Sequence, residues 1–180
     1  MVWENKPRYG GYLVHLGVVV LAIGVVGSQG FQVEKDVVLS PGQDATIGSY
    51  RVVYGGLADE KQAIKEVVSA KLTVYSGDTL LGSMSPSKEF YNGWDSPNTE
   101  VAIRSTPTED LYLILDSWTG NNVSLKLVVN PLVSWIWVGG YLLVFGAVVA
   151  LWPDAKEKRR EAARLAVARP RAGLPQTVDA

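Results

Sequence analysis

Hydrophobic and polar positions fall into three regimes along this chain. Tyr9 to Val26 reads YGGYLVHLGVVVLAIGVV, apolar, glycine-rich and free of acidic or basic side chains apart from one imidazole. Pro131 to Trp152 reads PLVSWIWVGGYLLVFGAVVALW and carries no charge. About 20 apolar residues in helix, rising about 1.5 Å each, cross the ~30 Å hydrocarbon core of a bilayer. The pattern therefore predicts two transmembrane helices. Pro131 suits the first turn of the second, where its missing N–H costs nothing. Trp135 and Trp137 near one end and Trp152 at the other suit aromatic belts at both interfaces.

Between the two runs the period changes to two. Val123, Leu125, Leu127 and Val129 alternate with Ser124, Lys126 and Val128, as in a half-buried strand. Asp110–Asp116 is a short apolar run bounded by acids, and Tyr50–Tyr54 and Val67–Tyr75 are rich in β-branched and aromatic residues. Ser76-Gly77-Asp78 reads as a hairpin turn. Phe31–Leu39, Ala45–Ile47, Leu80–Met84 and Glu100–Arg104 are weaker strand candidates. Six to eight short strands predict a small antiparallel β-sandwich or open barrel. The fold class is then a membrane protein of α+β type, two transmembrane helices flanking a β-domain outside the cytoplasm.

Charge orients this arrangement. Lys6 and Arg8 precede the first span, and Lys156, Lys158, Arg159 and Arg160 follow the second. The positive-inside rule places both termini in the cytoplasm. The expected organisation is a cytoplasmic N-terminus (1–9), a first span (10–30), an extracytoplasmic β-domain (31–130), a second span (131–152) and a basic cytoplasmic tail (153–180). A cleaved signal peptide is the competing reading of the first span, but Tyr9, Gly10, Gly11, Tyr12 and His15 are odd companions for its apolar core. The β-domain holds 8 basic and 13 acidic residues, and the tail 7 basic and 4 acidic. The tail has no interleaved aromatics, so it reads as a membrane-flanking segment and not as a nucleic-acid partner. There are no cysteines. That excludes disulfides, thiolate metal sites and covalent haem attachment to this chain.

The first span carries the candidate chemistry. His15 is the only histidine. An ionisable side chain at membrane depth is costly and faces a protein partner, a cavity or a cofactor, and imidazole is the commonest metal-ligating side chain. Gly10, Gly17 and Gly24 recur every seven residues and form one stripe on which another helix can pack closely. His15 projects about 160° away from Gly17. Gly11, four residues before His15, leaves room beside the ring for a flat ligand. Neither span supplies a second histidine or a carboxylate, so a hexacoordinate iron would take its other ligand from elsewhere. The alternative for His15 is a neutral imidazole hydrogen-bonded between helices. Trp135 and Trp137 read first as interface anchors. Glu100, Asp110 and Asp116 read as solvated or turn-capping carboxylates, with no pair spaced for acid–base work.

Four motifs in sequence then resemble a known family. Pro7-Arg8-Tyr9-Gly10-Gly11-Tyr12-Leu13-Val14-His15-Leu16-Gly17-Val18 is similar to a stretch in the C-terminal part of the CcmF family of cytochrome c maturation proteins and its nitrite-reductase assembly relatives. Asn130-Pro131-Leu132-Val133-Ser134-Trp135-Ile136-Trp137-Val138-Gly139-Gly140 resembles that family's last membrane span. Thr99-Glu100-Val101-Ala102-Ile103 and Asp110-Leu111-Tyr112-Leu113 match its Thr-Glu element and Asp-Leu-Tyr strand. The resemblance implies a component of the cytochrome c haem lyase of the bacterial cytoplasmic membrane, which joins haem to apocytochrome c by thioether bonds. It implies a b-type haem (haem b) between membrane helices, with His15 as one axial ligand. It further implies, as partners, the N-terminal portion of the haem lyase, a haem chaperone and apocytochrome c. The family's Trp-rich motif and other haem-ligating histidines lie upstream of the matched region. The chain is therefore expected to be half of a split protein or a piece of a longer one, not catalytic alone. A membrane-anchored scaffold presenting its β-domain to assembly partners, without contact to haem, is the alternative.

Overall fold

A computed structural model of the protein describes residues 6–152 and Arg164. The basic tail expected at 153–180 otherwise lies outside the described residues. Helix α1 (Lys6–Gly30) leads into ten strands, and helix α2 (Val133–Leu151) follows them. The strands are β1 (Val33–Leu39), β2 (Asp44–Ile47), β3 (Tyr50–Lys61), β4 (Lys65–Ser76), β5 (Thr79–Met84), β6 (Ser87–Tyr91), β7 (Asn98–Glu100), β8 (Ala102–Ser105), β9 (Glu109–Thr119) and β10 (Asn122–Pro131). They form an antiparallel sandwich. One sheet has the order β1-β10-β9-β8; the other runs β2-β3-β4-β6-β7, with β5 paired beside β6 on the same edge of β4.

Period-two alternation builds the core. Leu111, Leu113 and Leu115 of β9 and Val123, Leu125 and Leu127 of β10 face inward, against Val52 and Tyr54 of β3 and Leu72 and Val74 of β4. All are essentially sealed from solvent. The Tyr54 hydroxyl reaches the carbonyl of Asn121 across the sandwich at 3.0 Å, which satisfies its one buried polar atom.

The structure departs from the sequence pattern in three places. Gly55-Gly56 does not end β3: the strand continues to Lys61 through a register shift, with Gly56 at φ +136. β6 and β7 carry too many polar residues to show a buried face, yet both pair into the second sheet. Pro131 does not open the second helix. It closes β10 opposite Glu109, and α2 begins two residues later. A proline lacks only its own N–H, so the end of a strand accepts it as readily as the first turn of a helix does. Leu132 makes the corner in the left-handed region, φ 60 and ψ 14. Its N–H donates to Thr108 O at 2.8 Å, and Ser134 Oγ donates to Thr106 O at 2.9 Å. These two bonds tie the start of α2 to the β8–β9 turn.

Candidate functional site

α1 and α2 lie antiparallel, and glycine sets their separation. A Cβ on Gly10 would lie 2.5 Å from the backbone of Ala150; one on Gly17, 2.7 Å from that of Leu143; one on Gly24, 2.7 Å from that of Ile136. Each seven-residue step up α1 is matched by a seven-residue step down α2, the regular seam of helices packed at small crossing angles. Gly139 and Gly146 of α2 return the contact, meeting Leu21 and Val14. Gly140, beside Gly139 in sequence, faces open space. The partner of the glycine stripe is thus the chain's own second helix.

His15 occupies the other side of α1 and is exposed there. Its Nδ1 lies 2.7 Å from the carbonyl oxygen of Gly11. A carbonyl only accepts, so Nδ1 carries the hydrogen and donates it. In the neutral ring this leaves Nε2 with the lone pair by which imidazole binds a metal. A Cβ built on Gly11 would meet nothing within 4 Å. The surface over Gly11, one turn before the imidazole, is therefore open, with room for a flat ligand. Toward the β-domain the same side of the helix continues as an apolar groove of about 460 Å³, lined by Val19, Ala22, Ile23, Val26, Phe31 and Leu132 among others. On the opposite side of His15, Arg8 Nε donates to Tyr12 Oη at 2.8 Å.

These features fit one axial side of a haem: an exposed imidazole whose hydrogen bond to Gly11 O sets the tautomer of its neutral form, and an apolar groove on the same side of the helix. Among the described residues no group of three His, Asp or Glu side chains is placed to hold a metal ion. The arrangement offers one ligand.

Trp135 and Trp137 stand on the first turns of α2, largely exposed and away from His15 in sequence register. Glu100 is exposed and accepts from Asn98 Nδ2 at 2.7 Å, and Asp116 is exposed. Asp110 differs from its expected solvated state. It is only 5% exposed, takes a long 3.4 Å bond from the Tyr112 hydroxyl, and leaves Oδ1 without a partner. The acid bounding an apolar run gave no sign of this, because burial near a strand's start depends on what packs over it. Two further features escaped the sequence reading. One is the acceptor for His15, a backbone atom with no side-chain signal. The other is Arg104, whose Nε is buried and unpartnered.

Residues 30–131 match the family described as the CcmF C-terminal beta-sandwich. The chain belongs to this family. The match covers the whole sandwich, β1 to β10. The similarity to individual relatives extends beyond the sandwich. The chain is 31% identical over 149 residues to the cytochrome c-type biogenesis protein CcmF of Haemophilus influenzae, covering 82% of this chain and 23% of that protein. It is 30% identical over 147 residues to CcmF of Pseudomonas aeruginosa, covering 81% and 22%. It is 28% identical over 157 residues to the biogenesis protein NrfE of H. influenzae, covering 84% and 25%. A solved structure named cytochrome c heme lyase CcmF superposes with a TM-score of 0.67 at 26% identity, over 84% of this chain and 26% of that one. The chain spans about a quarter of the length of these CcmF and NrfE relatives.

Proposed function

We propose that this chain is the C-terminal part of a cytochrome c haem lyase and that His15 is an axial ligand of a haem b held in the membrane. One observation carries the reading: the Gly11 carbonyl takes the Nδ1 hydrogen of His15, so that in the neutral, exposed ring Nε2 is the nitrogen left to bind a metal. Family membership supports the place in cytochrome c biogenesis. The haem, when bound, supplies a one-electron redox centre. The residues of this chain orient one ligand, line its surroundings with apolar side chains and leave the surface over Gly11 open. The second axial ligand comes from the N-terminal portion of the lyase.

In this reading α1 and α2 cross the cytoplasmic membrane, with both termini in the cytoplasm and residues 31–130 outside. Both helices are long and apolar enough to span. Their packing face is made of glycine, which suits helices in lipid, where close approach replaces the hydrophobic effect. The outer domain then stands where a haem chaperone and apocytochrome c are met.

The test is the assembled lyase extracted from membranes, with His15 or with His15→Ala. The bis-histidine b-type absorption spectrum should be lost or converted to that of a five-coordinate haem. An unchanged spectrum and haem content would defeat the assignment. Loss of maturation after deletion of residues 31–130, with the haem spectrum intact after His15→Ala, would mark the scaffold reading instead.

A further inference from the structure

The exposed face of α1 has two chemically different ends. At about 100° per residue, Arg8, Tyr12, His15, Val19, Ala22 and Val26 fall within about 40° of one line along the helix. All are exposed, and the line lies opposite the seam of Gly10, Gly17 and Gly24. Toward the β-domain, Val19, Ala22 and Val26 belong to the apolar groove of about 460 Å³. Toward the start of the helix the face is polar. Arg8 Nε donates to Tyr12 Oη at 2.8 Å, and the guanidinium carbon stands 5.8 Å from the centre of the Tyr12 ring. The Tyr9 ring meets that of Tyr12 edge-on, with centroids 6.3 Å apart, and supports it from the side.

His15 stands between these ends. Side chains on a helix lean toward its N-terminus, and the 2.7 Å approach of Nδ1 to Gly11 O shows the imidazole doing so. The ring therefore lies over the turn that contains Gly11, and Arg8 sits on the turn before it. Seven residues bring Arg8 to within about 20° of His15 around the axis and about 10.5 Å along it. Tyr12 Oη accepts from Arg8, so its own hydrogen is left to donate, and the guanidinium has further N–H groups on its two Nη atoms. The pair offers converging donors, one of them cationic, to an anion with two oxygens. A basic residue flanking a span also snorkels to lipid phosphate. That role needs the charge alone. It gives no reason for a tyrosine hydroxyl one turn further in, held on the His15 face.

We infer that Arg8 and Tyr12 receive a carboxylate of the haem that His15 ligates, so that the carboxylate edge of the haem points toward the start of α1 and its vinyl edge toward the groove of Val19, Ala22 and Val26. The inference rests on the assignment of haem to His15 and adds the direction of the ring. Haem is itself two-ended, with both propionates on one edge and the vinyl groups away from them. Turned the other way, it would set its carboxylates against valine, where an unpaired charge is costly, and leave the guanidinium facing hydrocarbon.

The test uses the assembled lyase in detergent, stripped of haem and titrated with protohaem or with its dimethyl ester, followed by the Soret band. The free carboxylates should strengthen binding by about tenfold or more over the ester, the range for hydrogen bonds to a charged group. This comparison uses the unaltered protein, so it does not depend on any variant folding. Arg8→Gln should abolish the preference, Tyr12→Phe should reduce it, and Arg8→Lys should retain part of it. In the haem-loaded lyase, Arg8→Gln should shift the propionate bending band of the resonance Raman spectrum while the bis-histidine absorption remains. Equal binding of haem and ester, or a preference that survives Arg8→Gln, overturns the inference and leaves Arg8 to the lipid headgroups. If His15→Ala still removes the b-type spectrum in that case, the haem assignment stands and only the direction of the ring fails. An unchanged His15→Ala spectrum defeats both.

Discussion

The Nδ1 of His15 lies 2.7 Å from the carbonyl oxygen of Gly11, one helical turn earlier in α1. That pair decides which nitrogen can coordinate a metal. It also means that the residue controlling the tautomer supplies no side chain to the site. Gly11 contributes its carbonyl by position and its open space by lacking a Cβ.

If His15 ligates haem, as proposed, filling that space should disturb haem without altering His15. Gly11→Leu is expected to keep the helix but lower haem per protein several-fold in the assembled lyase, measured by pyridine haemochrome. Full haem content in this variant would mean that the flat ligand lies elsewhere.

The helix seam should be equally sensitive to size. A Cβ at Gly17 would press on Leu143 N and Gly139 O, both backbone atoms that cannot rotate away. Gly17→Val is expected to force α1 and α2 apart at a cost of about 1–3 kcal/mol, the range for overpacked interiors. Gly140→Ala, at a site with nothing within 4 Å, should leave the seam unchanged. Distances between spin labels at the two helix ends, with thermal unfolding in detergent, measure both.

In the sandwich, Leu113 is fully buried and Val38 is 71% exposed. Leu113→Ala should destabilise the domain by about 2–5 kcal/mol, the transfer cost plus that of the cavity left behind. Val38→Ala should stay within about 0.5 kcal/mol. Urea unfolding followed by tryptophan fluorescence separates the two.

Alkaline pH should weaken the fold through Tyr50. Burial, joined by a hydrogen bond to Glu109, pushes its hydroxyl up from 10.0 to about 12. The unfolded chain then loses this proton before the folded one does. The stabilisation is fully present below pH 10.0 and is lost as pH rises toward about 12. Burial raises Tyr54 and Tyr112 as well, so all three act in the same direction. Tyr50→Phe should remove its own share, and the difference between wild type and variant in urea midpoint should narrow across that interval. A constant difference would mean that Tyr50 titrates alike in both states.

The sequence by itself determined the two apolar helices, a β-domain between them, the inward face of β10, and the exceptional character of His15, while leaving sandwich and open barrel undecided. Each follows from local regularities: run length, the period of apolar residues, and the scarcity of one residue type. The seven-residue spacing of Gly10, Gly17 and Gly24 already announced a packing face. Only the tertiary structure decided that α2 fills it, because a glycine stripe specifies a close approach and not the identity of what approaches. The same limit applies at the corner after Pro131, where strand end and helix start were equally permitted until Thr106 and Thr108 claimed the groups of Ser134 and Leu132. It applies to Asp110 and Arg104, whose solvation depends on strands remote in sequence. Pattern reports which groups must be hidden; which partner hides or fails to satisfy them is a property of the assembled fold.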